Sequence, residues 1–347
     1  MKRFRVIGAL ALPLACAGST PEQAGSSSQS GLMMEKPSLQ EHFIPSDTPG
    51  IQLYLRNKRK ESVEPTRILL FVHGSTYPAE TFFDLPLGGM SLMDFLARDG
   101  WDVWLVDLRG YGRSTRPPEM DQPPDANPAI VTTDVAVRDV TSAVDFILAQ
   151  RKAPKLSLMG WSWGTTIMAA YTVKNPAKVN KLVLYAPQWL RTTAQLISGQ
   201  GAYRTVSMDS ARERWLKGVP EDKKKDLIPE GWFEQWAKAT FATDPVGSKQ
   251  NPPVLRAPNG TLHDTKEYWS SGKPYYDPGQ IKVPVLIIHA EWDQDLPNPM
   301  PREVFARLTQ APYRRLVEIG EGTHTVMMER NRGQLFNEVR LFLDELQ

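Results

Sequence analysis

The sequence predicts an α/β domain built on a doubly wound, mostly parallel sheet, with a helical lid inserted late in the chain. Three observations lead there. Apolar runs such as Ile68-Leu69-Leu70-Phe71-Val72 are continuous rather than alternating, as in strands buried on both faces. Such runs alternate with segments of helical spacing, the pattern of a parallel sheet wound through crossover helices. At one strand-to-helix junction the chain reads Gly160-Trp161-Ser162-Trp163-Gly164, where glycines flank a serine at a sharp turn. With 347 residues, 41% of them hydrophobic, the chain can bury one large α/β core and carry an insertion.

The N-terminus reads as an address. Met1-Lys2-Arg3-Phe4-Arg5 is a basic start and residues 6–15 form an apolar stretch too short to span a bilayer. Ala15-Cys16-Ala17 offers a cleavage site after residue 17, and the same segment is similar to a lipoprotein signal ending at residue 15, with Cys16 lipidated. Either way the expectation is export, to a bacterial periplasm or beyond, with a membrane tether only through Cys16. Cys16 is the sole cysteine, which excludes an intrachain disulfide and thiol catalysis. Residues 18–37, rich in Ser and Gly at their start, read as a flexible linker.

Residues 39–44 and 51–55 suit two strands joined by a Pro49-Gly50 turn. Strands follow at 67–72 and 101–107 with a helix at 91–99 between them, then a helix at 133–150, where apolar residues recur at helical spacing. The strand at 155–159 leads through the serine turn into the Ala-rich helix, and further strands are expected at 181–185, 283–288 and 315–319. A helix at 331–346 closes the chain. The core is thus assigned to residues 38–187 and 281–347. Residues 188–280 do not alternate in this way; they are aromatic and largely helical in pattern, and are assigned to the lid.

Formal charge is +2, from 41 basic and 39 acidic side chains. No basic stripe extends beyond short loops such as Arg56-Asn57-Lys58-Arg59-Lys60, so no nucleic-acid partner is indicated.

A turn of this kind would lift the Ser162 hydroxyl clear of the sheet, with the first amides of the following helix aimed at the same point. A serine hydroxyl needs a base, itself oriented by an acid. Of five histidines, His324 in Gly320-Glu321-Gly322-Thr323-His324 follows the last strand, at the sheet edge where Ser162 stands. His42 precedes the core, His263 sits in the lid, and His73 and His289 end strands where packing or loop hydrogen bonds suit them. The acid is sought in His289-Ala290-Glu291-Trp292-Asp293-Gln294-Asp295, where Asp293 is preferred, ahead of Asp295 and Glu291, for its distance from the strand end.

In this order the pieces resemble the α/β-hydrolase superfamily over residues 40–347: His73-Gly74 after the third strand, Asp107-Leu108-Arg109-Gly110-Tyr111-Gly112 after the fourth, then Ser162, Asp293 and His324. The resemblance, to its serine-nucleophile, lid-containing esterase and lipase-like branch, implies the α/β-hydrolase fold. It implies Ser162 as nucleophile, His324 as base and then acid, and Asp293 as its orienting partner. It implies an oxyanion hole from the backbone N–H of Trp163 and of Ser75. Ala290 departs from the glycine many relatives carry. Ser162 also argues against the relatives that place an aspartate at this turn, the epoxide hydrolases and haloalkane dehalogenases.

The expected activity is cleavage of carboxylic esters through an acyl-enzyme, with no metal and no cofactor. Trp161, Phe82, Phe83 and Trp189 are expected near the cleft, for an apolar, bulky or aromatic small-molecule ester. A lactonase, an amidase or a proline-iminopeptidase-like aminopeptidase would use the same three residues, and lid acids such as Asp209, Glu213 or Glu234 would suit a free amine. A C–C bond hydrolase and a ligand-binding module without turnover are the remaining readings.

Overall fold

The structure, a computed structural model, describes residues 36–62, 67–191 and 201–345. The expected signal segment, with Cys16, and nearly all of the linker lie outside the described residues.

The chain begins with β1 (Ser38–Pro45) and β2 (Gln52–Arg59), an antiparallel pair turning at Gly50, whose φ of 82° suits glycine. β3 (Ile68–Val72) follows, every residue of it buried. Next come α1 (Ala79–Phe83) and α2 (Leu92–Arg98), the second opened by a capping box between Ser91 and Asp94. β4 (Asp102–Asp107), α3 (Thr133–Arg151), β5 (Leu156–Trp161), α4 (Trp163–Lys174) and β6 (Val179–Tyr185) complete the first part of the core.

After β6 the chain forms β7 (Tyr203–Ser207), α5 (Met208–Trp215), α6 (Lys224–Leu227), α7 (Trp232–Phe241), β8 (Val254–Pro258) and α8 (Gly260–Asp264). The core resumes with β9 (Val285–Ala290), α9 (Pro299–Arg307), β10 (Arg314–Ile319) and α10 (Arg332–Asp344).

The main sheet has eight strands in the order β1-β2-β4-β3-β5-β6-β9-β10. β2 pairs antiparallel with both β1 and β4, and β4, β3, β5, β6, β9 and β10 are mutually parallel. This is the doubly wound, mostly parallel sheet expected, and it gathers the carboxyl ends of β3, β4, β5, β6, β9 and β10 along one edge. Ligands of open α/β sheets sit at that edge.

Two elements depart from the sequence reading. The basic run at 56–59 is strand rather than loop, and two of its three charges are matched: Arg56 pairs with Glu80 at 2.7 Å and Asp84 at 3.0 Å, and Lys58 with Asp84 and Asp94 at 2.7 Å each. The segment after β6 is not wholly helical. β7 and β8 pair as an antiparallel ribbon from Tyr203 against Pro258 to Ser207 against Val254, a contact between residues far apart in sequence that no local period announces.

Candidate active site

Ser162 sits between β5 and α4 at φ 56°, ψ −122°, a strained conformation for any residue with a side chain. The flanking glycines explain how it is tolerated. A Cβ on Gly160 would lie 2.2 Å from the Gly164 carbonyl oxygen, and one on Gly164 would lie 2.7 Å from the carbonyls of Val72 and His73. Strand, turn and helix therefore meet at a separation only glycine permits. The Ser162 N–H donates to the Tyr185 carbonyl at 2.9 Å, and its carbonyl accepts from the N–H and hydroxyl of Thr165 at 2.9 and 2.6 Å.

The turn after β3 abuts this elbow, since a Cβ on Gly74 would stand 3.1 Å from the Ser162 Cβ. His73 fixes that turn. Its ring is fully buried, burial lowers its pKa to about 4, and the neutral imidazole places its proton on Nδ1. Nδ1–H donates to the Gly74 carbonyl at 2.6 Å, while Nε2 accepts the Leu108 N–H at 3.1 Å. The Ser75 carbonyl is held by the Tyr111 hydroxyl at 2.9 Å and by Arg204 at 2.7 Å, and the Ser75 N–H finds no acceptor among the described residues. Trp163, as first residue of α4, likewise has no acceptor for its N–H within the helix.

On the opposite side, Asp293 is 2% exposed and accepts His324 Nδ1–H at 2.8 Å. Its other oxygen accepts the N–H groups of Asp295 and Leu296, both at 2.9 Å, so the carboxylate is locked in place. With the proton on Nδ1, His324 Nε2 is an acceptor; it is buried and has no hydrogen-bond partner among the described residues. The His324 carbonyl is held from two sides, by Trp161 Nε1 at 3.0 Å and the Tyr185 hydroxyl at 2.8 Å.

The structure thus brings Asp293 and His324 into contact and sets His324 beside the elbow through Trp161, without closing a hydrogen bond from the Ser162 hydroxyl to Nε2. Such bonds are often long before substrate is bound. The other two carboxylates are engaged elsewhere. Asp295 pairs with Arg214 at 2.5 Å; burial alone would raise its pKa, but the guanidinium outweighs burial and holds it well below the usual carboxylate range. Glu291 accepts the Glu321 N–H at 2.8 Å.

A small, partly open cavity of about 10 Å³ adjoins His324, lined by His324, Thr325, Asp295, Tyr77 and Trp161 from the core and by Ala211, Arg214 and Trp215 from α5. A space of that size holds about one water. Trp161 reaches it, with Phe82 stacked behind at 3.6 Å between ring centroids. Phe83 and Trp189 do not line it: Phe83 stacks on Phe71 in the core, and Trp189 packs against Tyr276. A concavity of about 760 Å³ lies at the opposite edge of the sheet against strand starts such as Ile68, Leu156 and Val179, away from every candidate residue. Among the described residues no group of three His, Cys, Asp or Glu side chains is placed to hold a metal.

Sequence reasoning did not single out Arg214, Trp215 or Glu329. The first two lie on an insertion whose docking has no local signature. Glu329 had one faint signal, a carboxylate five residues after the histidine on the same turn.

A family model described as the alpha/beta hydrolase fold matches residues 68–331. A serine hydrolase of Homo sapiens is 30% identical over 165 residues, 48% of this chain and 49% of that protein. A probable lipase of Schizosaccharomyces pombe is 29% identical over 141 residues, 38% of this chain and 30% of that protein. The match thus spans half or less of the length of these relatives. Among solved structures, the 2-hydroxy-6-oxo-6-phenylhexa-2,4-dienoate hydrolase of a Rhodococcus strain superposes with a TM-score of 0.61 at 14% identity, over 89% of this chain and all of that one. An esterase of Exiguobacterium antarcticum superposes with a TM-score of 0.57 at 17% identity, over 88% and 100%. At these identities the likeness concerns the fold.

Proposed function

The chain belongs to the α/β-hydrolase family, and from that premise we propose that it is an exported serine hydrolase that cleaves carboxylic esters. The observation that carries the reading is the 2.8 Å bond from His324 Nδ1–H to buried Asp293, which leaves Nε2 an unpartnered acceptor on a turn packed against Trp161, the residue before the strained Ser162.

The steps follow from those groups. His324 Nε2 takes the Ser162 proton as the hydroxyl oxygen attacks the ester carbonyl carbon, and Asp293 stabilises the imidazolium. The tetrahedral oxyanion is met by the N–H groups of Trp163 and Ser75. His324 returns the proton to the leaving alkoxide, which departs as alcohol and leaves an acyl-serine. Water, deprotonated by His324, attacks that ester, and collapse of the second tetrahedral intermediate frees the acid and restores Ser162.

The insertion acts as a lid in this reading, because α5 lines the space over the base with Ala211, Arg214 and Trp215. Aromatic walls at Tyr77, Trp161 and Trp215 favour an apolar or aromatic acyl group. The acids that would bind a free amine stand elsewhere: Glu234 pairs with Arg212, Asp209 lines a separate groove with Phe233, and Glu213 is exposed. The ester reading is therefore preferred to the aminopeptidase. Export and a lipid tether at Cys16 rest on the N-terminal sequence alone.

The test is product release from p-nitrophenyl esters of graded acyl length beside aminoacyl p-nitroanilides. Ester turnover that vanishes in Ser162→Ala is expected; turnover confined to the anilides would replace esterase by peptidase.

A further inference from the structure

Glu329 is buried completely, yet no cation pairs with it among the described residues. Its carboxylate instead collects four donors. One oxygen accepts the Thr323 N–H at 2.9 Å. The other accepts the Thr325 hydroxyl at 2.9 Å, the Trp215 indole N–H at 2.9 Å, and the Thr323 hydroxyl. Thr323 and Thr325 are the two neighbours of His324. Trp215 ends α5 and lines the cavity against which the base stands.

Four donors converging on one carboxylate suit the ionised form, while burial opposes it and pushes the pKa up to about 7. A hydrophobic core of the same shape would avoid that cost, and a group that merely filled space would not need two oxygens saturated in this pattern. The His324 carbonyl is already pinned by Trp161 and Tyr185. Glu329 supplies the remaining restraints, on the residues before and after the ring.

We propose that Glu329 is a positioning residue for His324, clamping the Thr323–Thr325 turn that carries the base and tying it, through the Trp215 indole, to α5 of the insertion. This rests on His324 serving as the base. In consequence the ring reaches its working orientation only when α5 is seated, so closure of the insertion and competence of the base are one event.

The test compares wild type with Glu329→Gln, which keeps shape but offers one acceptor and an unwanted donor, with Trp215→Phe, which removes only the indole N–H, and with both together. For Glu329→Gln, kcat on a p-nitrophenyl ester is expected to fall by about tenfold to a hundredfold with KM changed far less, the signature of a misaimed group. Trp215→Phe is expected to fall less, and the double variant to lose less than the product of the two singles, because they share one interaction. The His324 imidazole ¹⁵N resonances are expected to move in Glu329→Gln, and in Thr325→Val should the first variant not fold.

Unchanged kcat with unchanged imidazole resonances would overturn the proposal, as would multiplicative losses for its α5 half. If wild type cleaves no ester but the resonances move, the positioning role stands and the esterase reading fails.

Discussion

At the scale of single residues, the elbow is the most constrained point of the chain. Gly164→Ala would drive a methyl group to 2.7 Å from the carbonyls of Val72, the last residue of β3, and of His73 just after it. A loss of about 2 kcal/mol or more in urea unfolding is expected, at the upper end of overpacking costs. Glu329 carries the clearest pH signature. Its folded-state pKa, about 7, lies above the ordinary 4.5, so its stabilising share is fully present below the ordinary value and is lost as pH rises through 7. The shift corresponds to roughly 3 kcal/mol. Unfolding free energies measured from pH 4.5 to 8 should therefore fall in wild type relative to Glu329→Gln; parallel curves for the two would show that the carboxyl is not buried as described.

At the scale of elements, the insertion has its own anchor and its own latch. The anchor is the buried pair of Asp244 with Arg256, at 2.8 Å, which joins the end of α7 to β8. Burial would raise the Asp244 pKa, but Arg256 and backbone N–H groups lower it to about 2, so its contribution is present above 3.8 and disappears as pH falls through 2. Asp244→Asn leaves Arg256 uncompensated and should cost about 3–5 kcal/mol, read as early loss of hydrogen-exchange protection in β7 and β8. The latch is smaller. Arg214 reaches Asp295 at 2.5 Å and the Thr76 hydroxyl at 3.3 Å, seating α5 against both the loop after β9 and the turn after β3. It is partly exposed, so Arg214→Gln is expected to cost no more than about 1 kcal/mol and to show as faster exchange of α5 amides with the sheet unaffected.

At the scale of the whole molecule, these pieces set the size of the reaction space. The space beside His324 is narrow and walled on one side by α5, so a shift of α5 would widen it for a bulky acyl group. Loosening the latch should then lower kcat on every ester, because His324 is held only with α5 seated, while raising kcat/KM for long or aryl esters relative to acetate esters, measured as the ratio of the two in Arg214→Gln and wild type. A ratio that does not move would mean that entry bypasses α5. The sheet itself was legible beforehand, because continuous apolar runs and the Gly160-to-Gly164 turn reflect local constraints: strands buried on both faces exclude polar residues, and a close crossing excludes a Cβ. The candidate residues Ser162, His324 and Asp293 were legible for the same reason, each lying just beyond a strand that ends at the same edge. What the sequence determined by itself is thus the succession of the core strands along the chain and the residues delivered to that edge, since both are written in neighbours along the chain. The β7–β8 ribbon, the strand character of residues 56–59 and the docking of Trp215 onto Glu329 were decided only by tertiary structure, because each depends on partners distant in sequence whose burial and charge no local period records.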